Sequence, residues 1–122
     1  MTQDEVINLI EKTAASLSER MTGNEANAAV AEELRPLAIS NRAALLAALK
    51  QYLSLRVSAA ARQPEDAVRE ARLWLALDVA ESLRLTELKL DIAFLAEAVR
   101  NGEVLLPVHE SMVAGYFRRL DT

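Results

Sequence analysis

The chain has 122 residues, 26% of them charged and 52% hydrophobic, with a formal net charge of −4. That describes a single domain over 1–122, large enough to bury a core and too small to pair a catalytic with a substrate domain. The sequence has no cysteine, which excludes a disulfide framework, a thiolate nucleophile and a Cys-ligated metal.

Ala and Leu, the strongest helix formers, supply 22 and 20 residues, whereas Gly and Pro supply three each. This composition predicts an all-α protein. The acidic balance argues against binding a phosphate backbone. A 4% aromatic content argues against base-stacking platforms. No nucleic-acid partner is expected. The opening Met-Thr-Gln-Asp-Glu is acidic and no apolar h-region follows, so no secretory signal is expected. Apolar stretches such as Leu73 to Leu77 are far short of the roughly 20 residues of a membrane span. The expected setting is cytoplasmic, without a membrane partner.

Thr2-Gln-Asp-Glu5 reads as a capping box. Val6, Ile10, Thr13, Leu17 and Met21 then recur at helical spacing, with Gly23 as the expected stop. A second helix starts at Asn24, carries Ala26, Val30 and Leu34, and meets Pro36, which halts it near Leu34. Ser40 caps a third, expected to reach about Arg62 on Leu45, Leu46, Leu49, Tyr52, Leu53, Val57 and Ala60.

Gln63-Pro64-Glu65-Asp66 begins a fourth helix, with Pro at its first position and two carboxylates at the positive end of the dipole. It runs to Leu83 or Leu85 and is apolar nearly all round. It is therefore expected at the centre, with Trp74 buried among its neighbours. Thr86 caps a fifth helix with the stripe Leu88, Ile92, Leu95 and Val99, flanked by Phe94 and stopped by Asn101-Gly102. Pro107 opens a sixth, with Val108, Met112, Val113, Tyr116, Phe117 and Leu120. No segment alternates with period two. The fold expected is about six antiparallel helices stacked as α-hairpins, HEAT-like or an irregular bundle.

A weak echo links Ala43, Leu45, Leu49, Ser54, Leu55 and Arg56 to Ala71, Leu73, Leu77, Ser82, Leu83 and Arg84, 28 residues on. Two equivalent helices would produce it; so would four heptads of an Ala/Leu-rich sequence.

Catalytic signatures are missing. His109 is the only histidine, so no HExxH zinc site exists, and it falls in the first turn of the last helix, where a surface or boundary position is expected. No GxSxG elbow and no Gly-rich phosphate loop occurs. A carboxylate di-metal site would need Glu-x-x-His pairs, also absent. No enzyme activity, cofactor or metal is expected. The carboxylates are the richer set: Asp78, Glu81, Glu87, Asp91 and Glu97 gather on the fourth and fifth helices. They read either as a solvated face or as an acidic rim beside apolar anchors. Asp78, between Leu77 and Val79, needs a buried partner, for which Arg72 or Lys50 is expected. Arg84 is expected to pair with Glu81 or Glu87. Arg118-Arg119 suits a last helical turn.

The run LWLALDVAESLRLTELKLDIAFLAEAVRNG, within 69–120, resembles the HEAT-like α-hairpins of small bacterial immunity proteins from toxin–immunity systems. The resemblance implies a non-catalytic protein that binds and neutralises a toxin domain, and it transfers no individual binding residue. An acidic surface suits a basic partner such as a nuclease domain. A structural subunit or homodimeric scaffold is the alternative, and a small enzyme of unfamiliar type the third.

Overall fold

The structure is a computed structural model and describes residues 1–18, 23–57, 63–101 and 107–120. Every regular element among them is helical: α1 (Gln3–Ser18), α2 (Gly23–Leu34), α3 (Leu37–Ser40), α4 (Arg42–Leu53), α5 (Asp66–Ser82), α6 (Lys89–Arg100) and α7 (Pro107–Leu120). A 3-10 turn, Thr86–Leu88, leads into α6.

The capping box forms as expected. The Glu5 N–H donates to Thr2 Oγ1 at 3.2 Å, and the Thr2 N–H donates to Glu5 Oε1 at 3.4 Å. α2 stops at Leu34, ahead of Pro36, also as expected. Gly23 opens α2 rather than closing the first helix, and Met21 lies outside the described residues. Pro36 then starts the single turn α3, a helix the periodicity does not register because four residues are too few to show a period.

α4 is shorter than expected. It ends at Leu53 instead of reaching Arg62, because side chains take its last carbonyls. Ser54 Oγ donates to the Gln51 carbonyl at 2.7 Å, and Arg56 Nη1 donates to those of Leu53 and Leu55, each at 2.8 Å. Val57 is buried beyond this stop, while Ala60 and Arg62 lie outside the described residues.

α5 takes the central place its composition requires and packs against α2, α4 and α7. α1 packs on α2 and α4, and α6 on α4 and α7. One core results, with Leu73, Leu75, Ala76, Leu77, Val79 and Ala80 of α5 meeting Val6 and Ile10, Val30 and Leu34, Leu45 and Leu49, and Ile92 and Leu95.

Partly buried polar groups fix how the helices sit on α5. Glu11 of α1 accepts from Arg72 Nε at 2.8 Å, from Arg72 Nη2 at 2.6 Å and from the Tyr52 hydroxyl of α4 at 2.7 Å. The Arg72 hydrogen bond holds the Glu11 carboxyl below the usual range against the opposing effect of burial. Burial, then the bond to Glu11, pushes the Tyr52 hydroxyl up, so it stays a donor. At the start of α5 the buried Asp66 carboxylate accepts from the Gln63 N–H and from Arg69 Nη1, each at 2.7 Å.

The end of α5 is a Schellman turn. The Leu85 N–H donates to the Ala80 carbonyl at 3.0 Å and the Arg84 N–H to that of Glu81 at 3.2 Å. Arg84 occupies the left-handed position, φ 52°, where glycine is usual. That conformation costs about 1–2 kcal/mol in a residue with a Cβ. α7 clamps the turn: the Tyr116 hydroxyl donates to the Leu85 carbonyl at 2.8 Å, and Arg84 Nη2 donates to that of Arg119 at 2.9 Å. Arg84 therefore serves the end of α7 instead of pairing with Glu81 or Glu87. The 28-residue echo aligns the ends of α4 and α5 but not their starts, and the positive φ at Arg84 has no counterpart at Arg56.

Trp74 departs from expectation: it is only partly buried and lies outside the core cluster. On α5 it shares an outward face with Ala67 and Ala71, at helical spacing, and both alanines are exposed. The apolar periphery of α5 is thus broad but not closed. Leu73, one residue away, is fully buried. Leu73→Ala should therefore cost about 2–5 kcal/mol, as full core truncations do. Trp74→Ala should cost about 1–2 kcal/mol, since only part of its surface leaves water. Urea unfolding of the two variants measures this, and a larger loss for Trp74→Ala would place the indole in the core.

Candidate functional site

The buried stripe of α6 is Ile92, Leu95 and Ala98, with Leu88 just before it. Two large apolar residues fall off that stripe. Leu90 and Phe94, one helical turn apart, are 65% and 55% exposed. The acids Glu87, Asp91 and Glu97 stand at one-turn spacings from this pair. Helical geometry thus gives α6 an outer face with an apolar centre and acidic flanks.

The three acids are not equivalent. Glu87 is held by Arg42 of α4, whose Nη2 donates to Oε1 at 2.8 Å, while Nη1 of the same guanidinium donates to the Ala38 carbonyl at 3.1 Å. The Arg42 hydrogen bond draws the Glu87 carboxyl down to about 2. Both side chains are close to 40% exposed, so solvent screening limits what this pair adds to stability. Asp91 and Glu97 make no ion pair among the described residues. Asp91 is half-buried beside a cleft of about 110 Å³ shared with Lys50, Ser54, Arg56 and Phe94. Glu97 is exposed.

Asp78 and Glu81 belong to a different place. Asp78 is half-buried on α5 and accepts from Asn27 Nδ2 of α2 at 2.9 Å. Its partner is therefore an amide, not Arg72, which is engaged with Glu11, nor Lys50, which is exposed. Glu81 lies 3.9 Å from Arg119 of α7. The five acids thus separate: Asp78 and Glu81 join α5 to its neighbours, Glu87 ties the turn before α6 to α4, and Asp91 and Glu97 lie on α6.

Leu90 and the exposure of Trp74 escape the periodic pattern. An available signal is that Leu90 falls two residues after Leu88 and so cannot share the Leu88-Ile92-Leu95 stripe. Arg118 and Arg119 do occupy the last turn of α7. His109 lies in the first turn of α7, and its side chain is outside the described residues. Among the described residues no group of three or more His, Cys, Asp or Glu side chains is placed to hold a metal. Nor is any helix there long and apolar enough to cross a membrane.

Comparison with protein-family models, curated proteins and solved structures finds no match for this chain.

The environment of Asp78 has a consequence for stability. Burial pushes its carboxyl up; the Asn27 hydrogen bond opposes this, and the charge of Glu81 adds to the rise. The folded value lies above the unfolded value of about 3.9. The charged form therefore penalises folding, fully above the raised folded value and not at all below the unfolded one. Asp78→Asn keeps an acceptor for Asn27 and removes the charge. Its melting temperature should exceed wild type at pH 7, with the gain vanishing toward pH 3. A lower melting temperature at pH 7 would show that the carboxylate is stabilised by its surroundings.

Proposed function

We propose that this chain is a non-catalytic, cytoplasmic protein-binding module that docks a basic protein on the outer face of α6. The observation that carries this reading is Leu90 and Phe94, 65% and 55% exposed at adjacent turns of one helix, between Asp91 and Glu97. Exposing two such side chains together gains nothing for the folded monomer, whereas covering them on binding recovers their apolar transfer energy. The acids around them supply charge for steering an oppositely charged partner, in keeping with the net charge of −4. A symmetric dimer through this face would repeat the same acids on both sides, which favours a partner of opposite charge over a second copy. The most concrete form of the reading is an immunity protein that neutralises a basic toxin domain, in line with the resemblance of 69–120 to that class.

The test compares tagged wild type, a Leu90→Lys/Phe94→Lys variant and a Val68→Lys control, the last an exposed position on α5. Proteins of the source cell retained by each are identified, and folding is checked by circular dichroism. Wild type and control should retain the same basic protein, and the double variant should lose it by at least about tenfold in affinity. Expressed alone that protein should arrest growth, and co-expression of this chain should restore it. Retention unchanged in the double variant, or an acidic protein as the retained species, would overturn the reading.

A further inference from the structure

A second feature of α6 lies on the side turned toward α7. Ala93, Ala96 and Arg100 follow one another at helical spacing there, facing Val113, Ala114 and Phe117. With Val99 they line an open groove of about 370 Å³. That volume falls in the range of about 300–1,000 Å³ typical of small-molecule sites. The groove exists because alanines stand at 93, 96 and 114, where leucine would fill the space between the helices.

Among the described residues the charge on this lining has one sign. Among the described residues Arg100 is the only charged member of the lining, and it makes no ion pair or side-chain hydrogen bond with any of them. The rest of the described lining is apolar. An apolar trough with a single guanidinium suits an amphipathic anion, because the planar fork accepts a carboxylate in a two-point hydrogen bond and the alkyl part avoids water. The basic protein proposed for the outer face would be repelled by the same arginine.

We propose that the α6–α7 groove binds a hydrophobic carboxylate of the medium-chain fatty acid class. Arg100 takes the carboxylate, and the chain lies over Ala93, Ala96 and Phe117. This site is independent of the protein-binding reading of Leu90 and Phe94.

The probe is decanoate, titrated below its micellar range into 15N-labelled protein, with decanol and decylamine as controls. Amide shifts should saturate and centre on 93–100 and 113–117. Decanol and decylamine should bind at least about tenfold more weakly. Arg100→Gln should weaken decanoate by about tenfold and leave decanol unchanged. Ala96→Leu, checked for folding by circular dichroism, should abolish the shifts by filling the groove. Shifts that spread over the whole chain without saturating, equal binding of decylamine, or undiminished binding to Arg100→Gln would each overturn the proposal.

Discussion

α5 is apolar over most of its circumference, so the chain must surround it, and the rest of the architecture follows from that constraint. Apolar burial alone would leave its neighbours free to slide and rotate, because the hydrophobic effect has no direction. The polar residues of α5 remove that freedom. Arg72 reaches Glu11 of α1, which also takes the Tyr52 hydroxyl of α4. Asp78 reaches Asn27 of α2, and Glu81 faces Arg119 of α7. Each contact points to a different helix, so together they specify which element lies on which side. Because Arg72 is largely buried, loss of Glu11 would leave a desolvated cation without its carboxylate.

The all-α class, the capping box, the stop before Pro36 and the central place of α5 were legible in the sequence because each rests on local chemistry or on a long periodic pattern. The end of α4 was not, since it depends on Ser54 and Arg56 bonding back to carbonyls that the pattern treats as continuing. Trp74 misled for a related reason. An apolar run says that a helix is covered, but not which arc is left open, and the arc carrying Ala67, Ala71 and Trp74 is the one its neighbours leave. The pairing of Asp78 with an uncharged amide was hidden because charge arithmetic looks for cations. The acids of the fourth and fifth predicted helices were legible as a set. Only the three-dimensional arrangement separates Asp78, Glu81 and Glu87, which link elements, from Glu97, which is exposed.

That separation gives the molecule two kinds of surface. The charges of α5 are spent on internal geometry, and the Arg84 turn is held in its strained conformation by α7. α6 is different. Its inner stripe joins the core, while its outer face keeps Leu90, Phe94 and Glu97 exposed. A helix so divided can change on one side without loss on the other, which suits a docking surface that must follow its partner.

The claim that α5 organises the molecule predicts a hierarchy of local stability, which native-state hydrogen exchange reads amide by amide. The amides of 73–80 should exchange only through global unfolding, with the highest opening free energy in the chain. Those of α1 and of the outer side of α6 should open at lower free energies, before the core does. If α5 exchanges through sub-global openings while α1 or α6 stays protected, the organising element is another helix and the account is wrong.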